Sequence, residues 1–244
     1  MKAPRKFDHP MLFSAPMIRA LIEGRKTQTR RVLNNVPRRV ADTIHATNIR
    51  WQRLRAAPYL DAYCSERKSA ANPRGMGDTW CWWTRDSRVG SSFKVGYVPG
   101  DRLWVREAFA RVGDADDDAH ACWDMRRPYY FRADSLVPEQ GKWRSPIHMP
   151  REASRLTLTI TGVRVERLND ISESDAEAEG IEPQPYHPGR WTFGDGISYP
   201  SAGGAYATLW DHLHGPGAWD ANPWVAALTF TVGQRNIDET RIAE

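Results

Sequence analysis

Gly24-Arg25-Lys26-Thr27-Gln28-Thr29-Arg30-Arg31 is the stretch on which the reading of this chain turns. It follows an amphipathic segment in which Ser14 and Pro16 mark a helix start and Met17, Ile18, Leu21 and Ile22 recur at helical spacing. The spacing predicts a helix over Ala15–Glu23. Gly24 is suited to end it, because glycine takes a positive φ without steric cost. Arg30-Arg31-Val32-Leu33 then reads as a strand, which places Lys26 and Thr29 in the intervening loop. On a strand, residues three apart face opposite ways; in a tight loop they can meet. Two chemistries stay open for this cluster. A lysine whose pKa is lowered by burial or by neighbouring cations can take the proton of a threonine hydroxyl and make it a nucleophile. Alternatively, the cations bind phosphate and the threonines hydrogen-bond a turn.

Outward from this stretch, Met11–Ser14 reads as a first strand. Arg102–Ala108 alternates as a second, with Leu103, Val105 and Glu107 on one face and Arg102, Trp104 and Arg106 on the other. Glu107 suits the mouth of a cavity, or a pair with a nearby arginine. Arg155–Leu168 is the clearest β pattern, and Gly162 within it suggests a bulge or bend. Asp170 or Ser172 caps a short acidic helix, Glu173–Glu179, closed by Gly180. Helix is also expected over Ala205–His214, with Ala205, Leu209 and Leu213 on one face, and a last apolar strand over Trp224–Val232. The polar tail from Gln234 is expected to fray.

Between Val36 and Tyr97 turn signals recur and hydrophobic periodicity is poor. This predicts a long insertion with a little helix and one hairpin around Thr79–Ser92. Trp80, Trp82 and Trp83 there read as a small satellite core or as rings for stacking bases. The run Asp114–Asp118 lacks the glycine and terminal glutamate of an EF-hand loop and reads as a solvated turn. Trp123–Ala133 reads as a strand pair or an extended excursion.

The chain has 244 residues and a net charge of +4. Residues 1–40 hold ten Lys or Arg against Asp8 and Glu23, a net of +8, which leaves −4 for the rest. That asymmetry fits an anionic partner such as a nucleotide or nucleic acid, or a solvated basic face. No stretch approaches the ~20 apolar residues of a membrane span, and no signal-peptide pattern is present, so a cytoplasmic location is expected. Cys64, Cys81 and Cys122 are widely spaced and odd in number, against a disulfide framework. With no CxxC or HxxxH, no metal and no cofactor are expected.

GRKTQTR resembles the GxKxxxxR-type signature of ASCH domains, small β-barrels related to the PUA fold. Four blocks agree in type and order: LFSAPMIRALIEGRKTQTRRV, GDRLWVREAFA (Gly100–Ala110), LTITGVRVERLNDISESDAEAEGI (Leu158–Ile181) and WDANPWVAALTF (Trp219–Phe230). Together they cover about half the chain and are similar to the longer ASCH-like proteins of phages and prophages. The resemblance implies an α+β, PUA-like (ASCH) small β-barrel with short flanking helices and a long inserted segment. One domain over 8–233 is expected, with insertions at about 36–97 and 112–150 and a tail over 234–244. Small ASCH proteins include amidohydrolases that deacetylate N4-acetylcytidine with a lysine and a threonine three apart and a glutamate near the end of a short helix. Carried onto this sequence, these are Lys26, Thr29 and Glu179, with Glu177 as the alternative carboxylate. Arg30, Arg31, Glu107 and Trp104 are the candidate substrate-binding residues. The expected partner is a modified nucleoside, with no membrane partner. The second reading is a PUA-like RNA- or DNA-binding module, with or without ribonuclease activity, in which Lys26, Arg30 and Arg31 hold phosphate.

Overall fold

The computed structural model describes residues 8–36, 59–66, 68–83, 88–111, 128–134 and 143–239. The chain is an α+β fold rich in sheet. Its frame is a five-stranded sheet in the order β1 (Asp8–Leu12), β6 (Arg102–Arg106), β9 (Thr157–Arg167), β12 (Trp224–Gly233), β2 (Gln28–Val32). β1 runs parallel to β6, and the other pairs are antiparallel. A parallel neighbour requires a long crossover, which the intervening residues between β1 and β6 supply.

The sheet does not close into a barrel among the described residues, which corrects the small closed barrel expected from the sequence. Its edges are nonetheless drawn together. α1 (Ala15–Ile22) connects β1 to β2, and the Arg31 guanidinium donates from β2 to the Leu12 carbonyl of β1 at 3.1 Å. A side chain bridges the gap where backbone pairing would close a barrel. Thr29 lies within β2, opposite Leu228, and not in a loop as expected.

β9 carries the expected bend. Thr229 faces Gly162 and Phe230 faces Ile160, so Thr161 is the extra residue of a bulge. Buried Leu158, Ile160, Val163 and Val165 of this strand meet Leu103, Val105, Leu228 and Phe230 in the main core, with Ile18 and Leu21 of α1 packed in.

The 36–97 region is more than a hairpin. β3 (Tyr59–Ala62), β4 (Thr79–Trp83) and β5 (Arg88–Lys94) form a three-stranded antiparallel sheet, and no helix is present among its described residues. Trp80, Phe93 and Val95 belong to the main core, and Trp82 meets Trp224 edge to face at 5.8 Å. Trp80 is buried in the principal core and Trp82 is buried beside Trp224, so an exposed stacking surface describes neither, and the Trp83 side chain lies outside the described residues.

A second core lies behind the sheet. α2 (Glu173–Ala178) and α3 (Ala202–His214) bury Ala176, Ala202, Ala205, Tyr206 and Trp210 with Leu168 and Val225. Of the face expected on α3, Ala205 is buried in this core and Leu209 packs against it, while Leu213 is exposed. The tail does not fray at Gln234: Ile237 is fully buried, and Asn236 donates to the carbonyls of Arg151 and Ser154. Cys64 and Cys81 are not in disulfides. The run Asp114–Asp118 and residues 123–127 lie outside the described residues. Tyr129–Phe131 forms β8 against β7 (Phe109–Arg111).

Candidate active site

The turn after α1 is fixed by backbone bonds before any side chain acts. Gly24 has φ +74°, the Lys26 amide donates to Ala20 O at 3.0 Å, and the Thr27 amide donates to Ala178 O at 2.8 Å. The last of these clips the turn to the end of α2. Ser172 caps the start of α2, accepting from the Asp175 amide at 3.1 Å, and Glu179 is its C-terminal cap residue. Gly180 follows with φ +105°, and a Cβ there would stand 3.6 Å from Lys26 Cβ. The positive φ turns the chain sharply after Glu179 and lets the Lys26 stem lie directly against the backbone.

Lys26 and Glu179 meet as a result. The Lys26 ammonium donates to Glu179 Oε2 at 2.6 Å and to the Glu179 carbonyl at 2.8 Å, and both side chains are almost wholly buried. Burial pushes the Lys26 pKa below the ordinary lysine value; Glu179 pulls it up, while Arg31 and Arg30 add to the fall. Two of the three ammonium donors are engaged, and the third remains for another partner.

Thr29 is 4 % exposed and points from the opposite face of β2 to Arg30, the face it shares with Arg31. Among the described residues no hydrogen bond joins Lys26 to Thr29. Phe13 is a neighbour of Lys26 and Arg31, its ring 5.8 Å from Lys26 Nζ and 5.5 Å from the Arg31 guanidinium. The structure thus pairs Lys26 with Glu179, and no described interaction joins Thr29 to either.

Arg30 is fully buried in its side chain and bonds three carboxylates: Glu166 at 2.7 Å, Asp175 at 3.1 Å and Glu179 at 3.2 Å. Burial works against its charge, but Glu179 and Glu166 hold it firmly protonated. Arg30 therefore presents no surface to a phosphate, which corrects its assignment to substrate. Arg31 is half-buried with its one described bond to Leu12 O. Glu107 takes the commoner of its two readings, accepting from Arg155 at 2.8 and 3.0 Å; burial raises its carboxyl pKa against that pull. Trp104 is buried beneath the Arg106 guanidinium at 4.6 Å. No described interaction joins Glu107 or Trp104 to Lys26, Thr29 or Glu179. Glu177 accepts from the Trp191 indole instead of Lys26, which leaves Glu179 as the paired carboxylate.

Three participants were not singled out from the sequence. Asp175 takes bonds from Gln28, Arg30 and Arg164; these outweigh burial and hold its carboxyl below the usual range. Its helical first-turn position reads as simple dipole compensation in sequence. Glu166 alternates with the core residues of β9, which gives only its outward face. Tyr206 packs over Arg30, ring to guanidinium at 6.0 Å. Burial pushes this phenol well above its ordinary pKa, and Glu179 adds to the rise.

A cleft of about 370 Å³ abuts Glu179 and Gly180, walled by Met17 and Ala20 of α1, Phe193, and Leu209 of α3. Among the described residues no group of three or more His, Cys, Asp or Glu is placed to hold a metal ion, and no helix is long and apolar enough to cross a membrane. No family model, curated protein or solved structure matches the chain.

Proposed function

We propose that the chain is an amidohydrolase that removes the acyl group from N4-acetylcytidine or a related N4-acylated cytosine nucleoside. The observation that carries this reading is the buried Lys26–Glu179 pair, with Thr29 three residues on from Lys26 in the chain. A lysine buried at this depth, with a pKa below the ordinary value, is the form that can act as a base near neutral pH. Thr29 Oγ attacks the acyl carbonyl while Lys26 takes the hydroxyl proton. The tetrahedral intermediate collapses, the C–N bond breaks, and Lys26 returns the proton to the leaving N4. Water then attacks the threonine ester, its proton passing to Lys26 and on to Thr29 Oγ as the ester C–O bond breaks, and the acid is released. Glu179 accepts from two cations, Lys26 and Arg30, so it serves to orient Lys26, and the proton to the leaving amine comes from Lys26.

Burial of Lys26 and Arg30 weighs against the nucleic-acid module, because two of its three phosphate-holding cations face inward. The same reading takes the curled sheet as an opened PUA-like barrel, its edges bridged by Arg31, and a free modified nucleoside as the partner of a cytoplasmic enzyme. The test is chromatographic release of cytidine from N4-acetylcytidine by wild type, Thr29→Ala and Lys26→Met, with folding checked by circular dichroism. Turnover is expected in the wild type alone. Turnover retained by Thr29→Ala rules out the threonine mechanism, and a folded but inactive wild type rules out this substrate.

A further inference from the structure

We propose that the cleft beside Glu179 holds the cytosine ring of an uncharged nucleoside, stacked on Phe193 with its N4 edge toward Glu179; this rests on the amidohydrolase reading above. Phe193 lies outside the four sequence blocks that carry the ASCH resemblance.

The aromatic shelf is set by local structure. β10 (Glu182–Pro183) and β11 (Trp191–Thr192) pair antiparallel, and Trp191 then exchanges two backbone hydrogen bonds with Tyr199, at 3.0 and 2.9 Å. Gly194 and Gly196, at φ +87° and +79°, turn the chain between them. Asp195 fastens that turn, accepting from the Thr192 hydroxyl at 3.2 Å, the Ile197 amide at 3.1 Å and the Tyr199 hydroxyl at 2.7 Å. The Tyr199 ring so held stacks on Phe193, with centroids 5.7 Å apart and 27° between the planes. One face of Phe193 is taken, and a flat ligand ring can take the other.

The rest of the lining selects size and charge. Met17 and Ala20 of α1 and Leu209 of α3 add apolar surface, and Glu179 and Gly180 line the end next to Lys26. At about 370 Å³ the cleft stands near the lower end of small-molecule pockets, with room for a single nucleoside. Its two arginines are already engaged: Arg25 with Glu23 at 2.7 Å and Glu182 at 3.4 Å, and Arg19 with the Ala133 carbonyl at 3.3 Å. Glu179, Glu182 and Asp195 also line it, so a phosphate would meet three carboxylates against His212 and two committed guanidiniums among the described residues. A ribose instead offers hydroxyl donors, which carboxylates accept.

The variants are Phe193→Leu, which keeps apolar bulk and loses the ring, and Phe193→Tyr, which keeps the ring, each checked for folding by circular dichroism. On N4-acetylcytidine, Phe193→Leu is expected to raise KM by about tenfold or more with kcat little changed, as for loss of a base–aromatic stack. Phe193→Tyr should restore most of that difference. An unchanged KM in Phe193→Leu, or equal losses in both variants, overturns the pocket. Calorimetric titration with cytidine and with cytidine 5′-monophosphate reads the pocket without turnover. Cytidine should bind the wild type more tightly than the monophosphate does, and should bind Phe193→Leu about tenfold more weakly. No cytidine binding, equal binding by Phe193→Leu, or tighter binding of the monophosphate refutes the proposal. A wild type that binds cytidine in this way but never turns over N4-acetylcytidine sinks the functional reading and leaves the pocket standing.

Discussion

Arg30→Met tests whether the buried charge cluster is held together as described. In the wild type, Lys26, Arg30 and Arg164 balance Glu166, Asp175 and Glu179. Methionine fills much of the arginine volume and removes its charge, leaving the cluster at −1. Glu166, Asp175 and Glu179 each lose a partner that stood within 3.2 Å. Breaking a buried pair by removing one member costs about 3–5 kcal/mol, since the other charge is left without compensation. Two effects offset part of this: Arg30 Nε is buried with no hydrogen-bond partner, and the apolar replacement avoids that desolvation. The expected net loss is about 3 kcal/mol at pH 7, or roughly 6–12 °C in Tm for a chain of this size. The pH dependence is the sharper reading. The wild-type cluster holds Asp175 below its usual pKa, so it contributes stability above the ordinary carboxylate range that is lost as pH falls through the folded value. In the variant Asp175, having lost Arg30, protonates more readily, and its protonation relieves part of the repulsion. The gap between the proteins should therefore narrow between pH 7 and pH 4. Urea unfolding of both at several pH values measures this. A gap below about 1 kcal/mol, or one independent of pH, refutes the reasoning.

Gly180→Ala should cost about 1–2 kcal/mol from the positive φ alone and should lower activity further, because the new Cβ falls 3.4 Å from Ala20 Cβ and 3.6 Å from Lys26 Cβ. Differential scanning calorimetry and the deacetylation assay check the two effects. Ile237→Ala should destabilise by about 2–5 kcal/mol, the cost of emptying a fully buried site, where a frayed tail predicts almost none. Asp8 is held below the ordinary aspartate value by Arg151 and Arg102, although burial opposes its charge. It contributes stability above that value which is lost as pH falls through the folded pKa, so Asp8→Asn should be destabilising at pH 7 and nearly neutral at pH 2, read by denaturant titration.

Much of this protein is decided locally and is readable from its residues. Helix α1, the stop at Gly24, the alternation and bulge of β9, the capped acidic helix and the final strand follow from periodicity, capping and glycine conformation. These act over a few residues, and tertiary context does not reverse them here. The positions of Lys26 and Glu179 are also visible in sequence, but their meeting is not. They are 153 residues apart and come together only because the Thr27 amide clips the signature turn to the end of α2. The burial of Arg30 was hidden for the same reason: a cation-rich stretch looks like a phosphate site until its three carboxylates arrive from β9 and α2. The tryptophans of the inserted segment and the docked tail likewise depended on surfaces from distant elements, which composition does not record. Sequence set which groups were available and where the chain would bend. Only the tertiary structure decided which charges would be buried together, because ion pairing in the interior depends on desolvation and on partners that the chain brings from afar.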